Sequence, residues 1–192
     1  MRLRLGDDMR GLLVALILII VTPIGAQAQR RPPAPPADML AAPNHPGWSV
    51  DSGTGCWVWN SHPQPTETVT WSGGCAADGR ASGHGVEEFR YDEEVERYEG
   101  DLRDGRANGH GVSTDVSGTR YEGEWRDDKA NGHGVMTNAD GSHYDGNWRD
   151  DRPDGYGDAW IDGETYRGNW AAGCYRDRNR KTAWERPLSE CP

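Results

Sequence analysis

The chain has 192 residues and a formal net charge of −10, with 26 Gly, 9 Trp and 7 Tyr against a single Phe. This length is typical of one domain. The excess of acidic residues argues against nucleic-acid binding and against anionic membrane surfaces, because both need clustered Lys and Arg.

The first predicted element is a secretory signal peptide at residues 1–28. An apolar run at residues 12–21 follows three arginines and precedes the small-x-small site that ends at Ala28. Such a run is too short to span ~30 Å of hydrocarbon as a helix, and the combination is typical of a cleaved signal. We expect cleavage after Ala28 and a periplasmic or secreted protein. An uncleaved membrane anchor is the alternative.

A Pro/Ala-rich segment follows, and we predict an extended linker at residues 29–47. Without residues 1–28 the formal charge is −11, and only 13 residues are Leu, Ile, Val or Phe. That balance is typical of disordered chains. The 16 Trp and Tyr residues are therefore the candidates for a core.

A repeat organises residues 71–173. Four segments align when they start at Tyr98, Tyr121, Tyr144 and Tyr166. Their starts are separated by 23, 23 and 22 residues, and a diverged copy begins at Trp71. A period of this length indicates a repeat architecture in which each unit packs only against its neighbours.

Each unit predicts a β-hairpin. Residues 121–125 (YEGEW) alternate between aromatic and polar or small residues, as a strand does. Residues 126–132 predict a turn, residues 133–137 a second short strand, and residues 138–142, with their Asp-Gly pair, a second turn. We therefore expect an all-β fold in which tandem hairpins form an elongated, single-layer antiparallel meander.

The unit YEGEWRDDKANGHGVMTNADG resembles the MORN repeat, whose pattern is Y-x-G-x-W, a polar turn, G-x-G-x-(apolar) and a second turn. The resemblance covers about residues 71–173, with three copies close to the pattern and two partial ones. Leu102 stands where its copy should have Trp. The resemblance implies an exported, bacterial-type MORN-repeat protein. Similar repeats generally act as scaffolds or interaction modules, and some are associated with lipids.

The repeated aromatic residues are the predicted core. The repeat-core residues are Tyr98, Tyr121, Trp125, Tyr144, Trp148, Tyr166 and Trp170. Each aromatic side chain buries on the order of 150–250 Å², so these rings can replace the missing aliphatic residues. The Gly between the aromatics of each strand would leave room for a neighbouring ring.

Four cysteines in an exported chain allow three disulfide pairings. The pairing we favour joins Cys56 to Cys75 and Cys174 to Cys191. Each pair flanks one end of the array, and the ends of repeat stacks need capping. We accordingly predict an N-terminal cap at residues 48–70 and a C-terminal cap at residues 174–192. A four-cysteine metal site is the alternative, although no Cys-x-x-Cys spacing supports it.

A column of acidic residues is the predicted partner-binding site. Its members are Glu99, Asp101, Glu122, Glu124 and Asp145. They alternate with the core aromatics, so they should face the opposite side of the sheet. This column could dock a basic segment of a partner. The alternative is a solvated face that only keeps the sheet soluble.

No motif predicts catalysis, a metal or a cofactor. His84, His110 and His133 recur in Gly-His-Gly, but equivalent residues lie two strands apart, roughly 10 Å, too far for one metal ion. Neither a nucleophile elbow nor a phosphate-binding Gly loop occurs. We therefore predict a non-catalytic scaffold that binds a protein partner.

Two other functions stay open at this point. Binding of carbohydrate or cell wall would require an exposed platform of aromatic side chains. The candidates for that platform are Trp48, Trp57, Trp59 and Trp160. Association with membrane lipid is the second alternative, against which the negative charge weighs.

Overall fold

A computed structural model describes residues 31–41 and 46–191. The signal predicted at residues 1–28 lies outside these residues. The strands are β1 (Gly47–Val50), β2 (Trp57–Asn60), β3 (Thr68–Trp71), β4 (Gly74–Cys75), β5 (Ala81–Tyr91), β6 (Glu94–Arg103), β7 (Arg106–Thr114), β8 (Arg120–Arg126), β9 (Lys129–Thr137), β10 (His143–Arg149), β11 (Arg152–Ile161), β12 (Glu164–Ala171), β13 (Cys174–Arg176) and β14 (Lys181–Ala183). Single 3-10 turns lie at Ala37–Met39 and Leu188–Glu190.

Strands β5 to β14 form one antiparallel sheet in which each strand pairs with its neighbours in the sequence. Strand β3 pairs with β5 at one edge, and β1 and β2 form a separate antiparallel pair. The predicted all-β meander of tandem hairpins is confirmed. In the part of the chain that the structure describes, no helix is long and apolar enough to cross a membrane.

The hairpin turns are tighter than the sequence suggested. Asp127 and Asp128 adopt φ angles of 51° and 66°, and β9 begins at Lys129. The longer turn predicted over residues 126–132 is therefore wrong. Two successive residues at positive φ form the primed type of turn, whose twist matches that of the sheet. Asp tolerates this conformation better than most residues, so this Asp-Asp pair takes the place of the usual Asn-Gly or Asp-Gly.

A ladder of aromatic rings lies on one face of the sheet. Tyr121 packs edge-to-face against Trp125 and Trp148, with ring centroids 4.9 and 5.3 Å apart. Tyr144 packs in the same way against Trp148 and Trp170, at 5.1 and 5.3 Å. Of the predicted core residues, Tyr98, Tyr121, Tyr144, Trp148 and Trp170 are buried, whereas Trp125 and Tyr166 are half-buried.

The tyrosine of each repeat lies across a pair of glycines. Gly123 faces Gly134 across β8 and β9, and the Tyr121 hydroxyl donates to the carbonyl oxygen of Glu124 at 3.1 Å. A Cβ atom added at Gly134 would lie 2.3 Å from the Tyr121 oxygen. The glycine pair therefore makes room for the tyrosine of its own hairpin, and Tyr98 and Tyr144 repeat this arrangement.

In two of the hairpin turns, a carboxylate binds the backbone next to the preceding turn on the same edge of the sheet. An Asp128 oxygen accepts the backbone N–H of Ala107 at 2.7 Å, and Asp151 accepts that of Ala130 at the same distance. Because the second Asp of each turn makes this contact, the repeats are held in register at the turn edge as well as through the strands.

The caps are attached by disulfides and backbone contacts. The predicted pairs Cys56–Cys75 and Cys174–Cys191 are confirmed. The β1–β2 pair hydrogen-bonds to the array through Trp59 N–H, which donates to the Gly105 carbonyl at 2.8 Å. The Trp57 indole N–H donates to the Pro33 carbonyl at 2.8 Å, so part of the segment predicted as a linker contacts the N-terminal cap.

Loss of the first disulfide should be strongly destabilising. We expect the double change Cys56→Ser with Cys75→Ser to lower the free energy of unfolding by about 3 kcal/mol, because the bond closes a loop in the unfolded chain. The two cysteines are 19 positions apart, and Cys56 is fully buried. Urea unfolding would measure the change. Cys174→Ser with Cys191→Ser is the variant for comparison. Its cysteines are 17 positions apart, so the loss of stability that comes from the unfolded chain should be similar, although neither cysteine is fully buried. Unchanged stability in both variants would contradict the entropic argument.

Candidate functional site

The predicted acidic column lies on the face opposite the aromatic ladder. Glu99, Glu122 and Asp145 form one row across the sheet, and all three are exposed. The half-buried Val112 and Val135 stand between them in the same row. The surface therefore alternates between acidic and apolar side chains along the array.

Two of the five carboxylates of this column are paired with an arginine. Arg97 donates to Glu99 at 2.7 Å, and Arg120 donates to Glu122 at 2.6 Å. The hydrogen bond from Arg97 lowers the pKa of the Glu99 carboxyl. Ion pairs as exposed as these contribute little stability, so a partner could exchange them without a large loss of folding free energy.

The remaining members of the column contact histidines. Asp101 lies 3.1 Å from His84, and Asp145 lies 3.4 Å from His133. Glu124 accepts the backbone N–H of His133 at 3.1 Å. Among the described residues, no three His, Cys, Asp or Glu side chains converge as a metal site would need.

The tryptophans considered for carbohydrate binding do not form one platform. Trp48 and Trp57 are buried in the N-terminal cap. Trp59 is half-buried, with the Arg106 guanidinium 4.2 Å from its ring centroid. Trp160 is 38% exposed and stacks on His143 on the polar face. Only Trp59 and Trp160 therefore retain a ring surface that could meet a sugar.

A groove lies on the aromatic face, and the sequence did not predict it. As a concave site, it is a better candidate for binding than the exposed acidic column. It has a volume of about 320 Å³. The buried core divides into an N-terminal and a C-terminal cluster, and the half-buried Trp125 packs against both. The N-terminal cap covers one end of the ladder, and Trp184 of the C-terminal cap packs on Tyr144 and Trp148 at the other. The groove is the uncovered stretch between them.

Apolar and aromatic side chains line the centre of this groove. They are Trp59, Phe89, Tyr121, Trp125 and Met136. Phe89, Trp125 and Met136 are only partly buried. The groove therefore leaves apolar surface accessible between the two caps.

Six carboxyl groups also line the groove. They belong to Glu67, Glu87, Glu96, Asp115, Asp128 and Asp151. Five of these have a hydrogen-bond donor, for example Tyr91 for Glu96 at 2.9 Å. Glu87 is partly buried and makes no hydrogen bond or ion pair with any residue that the structure describes. An acid without a partner is unusual on the apolar face of a sheet.

The position of Glu87 explains its environment. Glu87 pairs with Tyr98 across β5 and β6 and with Trp71 across β3 and β5. In the next two repeats the equivalent position beside the tyrosine is occupied by Ser113 and Met136. The first copy thus places a carboxyl group where the later copies place small or apolar side chains.

Burial raises the pKa values of four groove carboxyls, those of Glu67, Glu87, Asp128 and Asp151. Burial raises the pKa of Glu87 to about 8, with a further contribution from the charges of Asp128 and Glu67. Burial also raises the pKa of Asp128 to about 6, although the Ala107 N–H and Arg106 oppose it. The groove therefore holds its negative charge at a cost that a bound cation would relieve.

The stability of the protein should fall as the pH rises from about 6 to about 9. The folded protein keeps the Glu87 proton up to a pH of about 8, whereas the unfolded chain loses it near 4.5. In that window the folded state binds more protons, so raising the pH favours unfolding. Glu87→Gln should flatten this dependence in urea unfolding at pH 6, 7.5 and 9. Glu164→Gln, at the exposed start of β12, is the control and should keep the wild-type slope. A wild-type slope in Glu87→Gln would show that the groove acid is not responsible.

Sequence reasoning missed this site because its residues come from the least regular part of the repeat. Glu67 lies before the array, and Glu87 lies in the diverged first copy. A signal was nevertheless present: aligning Gly85-Val86-Glu87 with Gly111-Val112-Ser113 places Glu87 on the inward side. The alternation of that strand predicts an acid facing the aromatics.

Comparison with known proteins supports the repeat. The family model described as MORN repeat matches three consecutive segments, at residues 98–120, 121–143 and 144–165. No curated protein matches the chain.

Proposed function

Because this chain carries three consecutive MORN repeats, which generally serve as protein- or membrane-interaction modules, we propose that it is an exported, non-catalytic scaffold for a protein partner. The observation that carries the proposal is the exposed row of Glu99, Glu122 and Asp145. Equivalent strands are roughly 10 Å apart, so the row offers the same contact at a regular spacing.

The row suits a protein partner because it combines charge with apolar surface. Val112 and Val135 separate the carboxylates, and Arg97 and Arg120 lie beside them. A segment with basic and apolar side chains could replace the internal ion pairs and cover the valines. Asp101 and Glu124 extend the same face.

Export is supported by the two disulfides, which form and persist in oxidising compartments. The proposed division is a signal at residues 1–28, a linker at 29–47, caps at 48–70 and 174–192, and the array at 71–173. Fractionation with N-terminal sequencing tests the export step: a periplasmic or secreted protein that starts at Gln29 supports it. Retention of the protein in the membrane with its leader intact would support the anchor.

The binding function is tested by a cross-linked pull-down of the disulfide-bonded protein from its own envelope extract, read by mass spectrometry. A stoichiometric partner should disappear when Glu99, Glu122 and Asp145 are all changed to Lys. The control changes Glu93, Glu94 and Glu164, which are exposed outside the row, to Lys. Loss of the partner in both triple variants would indicate a general charge effect. Recovery of glycan, or flotation with vesicles, without a protein partner would favour the carbohydrate or lipid function.

A further inference from the structure

The groove has the lining that a cationic side chain requires. Aromatic faces attract cations through their quadrupole, and Trp59, Phe89 and Trp125 supply such rings. The carboxyls of Glu67, Glu87, Glu96, Asp128 and Asp151 surround them. A positive group placed there would meet both attractions in a partly desolvated site.

The charge of the groove is not balanced from within. Among its lining residues, Arg97 is the one Lys or Arg, and its guanidinium is paired with Glu99 and lies near Glu88. Arg106, at the edge of the groove, is paired with Asp128 at 3.0 Å. Glu87 has no basic partner among the described residues. The groove therefore has more carboxyl groups than basic side chains, and Glu87, which keeps its proton up to a pH of about 8, is the one that a bound cation would ionise.

The protein already holds one cation in this way. The Arg106 guanidinium lies over the Trp59 ring, 4.2 Å from its centroid, and donates to the Asp128 carboxylate. This pairing of an aromatic face with a carboxylate shows how the rim accommodates a guanidinium. Trp125 and Glu87, which also line the groove, offer the same two chemical groups, and no cation of the described residues contacts either of them.

We propose that this groove binds a Lys or Arg side chain from an extended basic segment of a protein partner, with Glu87 as its counter-charge and Trp125 as its aromatic wall. The inference rests on the proposed scaffold function and names a second contact surface for it. The lining of the groove also includes polar residues, namely Ser61 and His62 of the N-terminal cap and Thr114 and Thr119 of the array. A peptide chain would find hydrogen-bonding partners there.

Binding should depend on pH as well as on charge. A bound cation favours the ionised form of Glu87, so the affinity should increase as the pH rises from 6 to 9. The other titratable groups that line the groove are Glu67, Glu96, Asp115, Asp128, Asp151, His62 and Arg97, and Arg106 is paired with Asp128. Asp128, whose pKa burial raises to about 6, also ionises further as the pH rises and reinforces the trend.

The test measures binding of defined peptides to the disulfide-bonded protein by calorimetry. One peptide is a 12-residue Gly/Ser chain with two Lys, and its partner peptide carries acetyl-lysine at both positions. We expect the Lys peptide to bind and the acetylated peptide not to bind. Glu87→Gln should lower the affinity for the Lys peptide about tenfold at pH 8, because it removes one partly desolvated charge pair. Glu164→Gln, which removes a carboxylate from the exposed start of β12, should bind like the wild type.

The outcomes separate this inference from the scaffold function. Equal weakening by Glu87→Gln and Glu164→Gln would overturn the groove, because only net charge would then matter. Binding of free choline without binding of the Lys peptide would also overturn it. The pull-down could recover a partner that still binds Glu87→Gln but no longer binds the variant of the acidic row. That result would support the scaffold function and overturn the proposal that the groove binds the partner. Peptide binding that Glu87→Gln weakens, with no partner recovered, would support the groove alone.

Discussion

Gly134→Ala should lower the free energy of unfolding by about 3 kcal/mol, at the upper end of the cost of overpacking a core. The added Cβ would lie 2.3 Å from the Tyr121 hydroxyl oxygen and 2.5 Å from the ring carbon that bears it. Tyr121 is held by its bond to the Glu124 carbonyl and by Trp125 and Trp148, so the ring cannot move away cheaply. Urea unfolding followed by tryptophan fluorescence would measure the loss.

The matched control is Gly74→Ala. The nearest atom to a Cβ at Gly74 is the Ser82 carbonyl oxygen at 3.6 Å, which is an ordinary contact. We expect its stability to stay within about 0.5 kcal/mol of the wild type. A second check combines Gly134→Ala with Tyr121→Ala. The double variant should lose less stability than the two single variants added together, because the clash with the added Cβ disappears when the tyrosine ring is removed. Additive losses would contradict the steric explanation.

Tyr144→Ala should cost about 4 kcal/mol, as large-to-small changes of buried aromatics do. Tyr144 is 0% exposed and packs against Trp148, Trp170 and Trp184. It therefore joins the repeat array to the C-terminal cap. Its loss would leave a cavity where three tryptophan rings meet, and thermal unfolding should show a correspondingly lower midpoint.

The control for this prediction is Tyr156→Ala, a tyrosine of the same sheet that is 56% exposed. Its loss should change stability by no more than about 0.5 kcal/mol. Tyr144→Phe isolates the hydroxyl, which donates to the Asn147 carbonyl at 3.1 Å, and should cost about 1 kcal/mol. If Tyr144→Ala and Tyr156→Ala behaved alike, the ladder would not be the core.

The aromatic ladder and the groove place different demands on one face of the sheet. The ladder needs glycine pairs and buried tyrosines, which the three regular repeats supply at Tyr98, Tyr121 and Tyr144. The groove needs accessible rings and acidic groups, which the diverged copy and the cap supply through Glu87 and Glu67. Tyr121 and Trp125 belong to both the ladder and the groove, whereas Glu87 is not part of the buried core, so Glu87→Gln can test binding without removing a core residue.

The repeat pattern alone determined the architecture. A strand with aromatics two positions on either side of a glycine has one apolar face, and a constant period of 22 or 23 residues requires every hairpin to pack like the last. The cysteine pairing followed as well, because Cys56 and Cys75 flank one end of the array and Cys174 and Cys191 the other. The hairpin array and the cysteine pairing both depend on where residues lie along the chain, and the repeat period shows those positions directly.

Only the tertiary structure decided which groups meet across strands. The Asp127-Asp128 turn is tight because the twist of the paired strands favours positive φ there, and no local glycine marks it. The cross-strand register, not the spacing within a strand, brings Gly134 beneath Tyr121. The groove combines Glu67, Glu87 and Asp128 from separate hairpins under the edge of a cap. These three carboxyl groups are buried together and repel one another because the fold brings them close. Their positions in the sequence are far apart, so no local pattern predicts this.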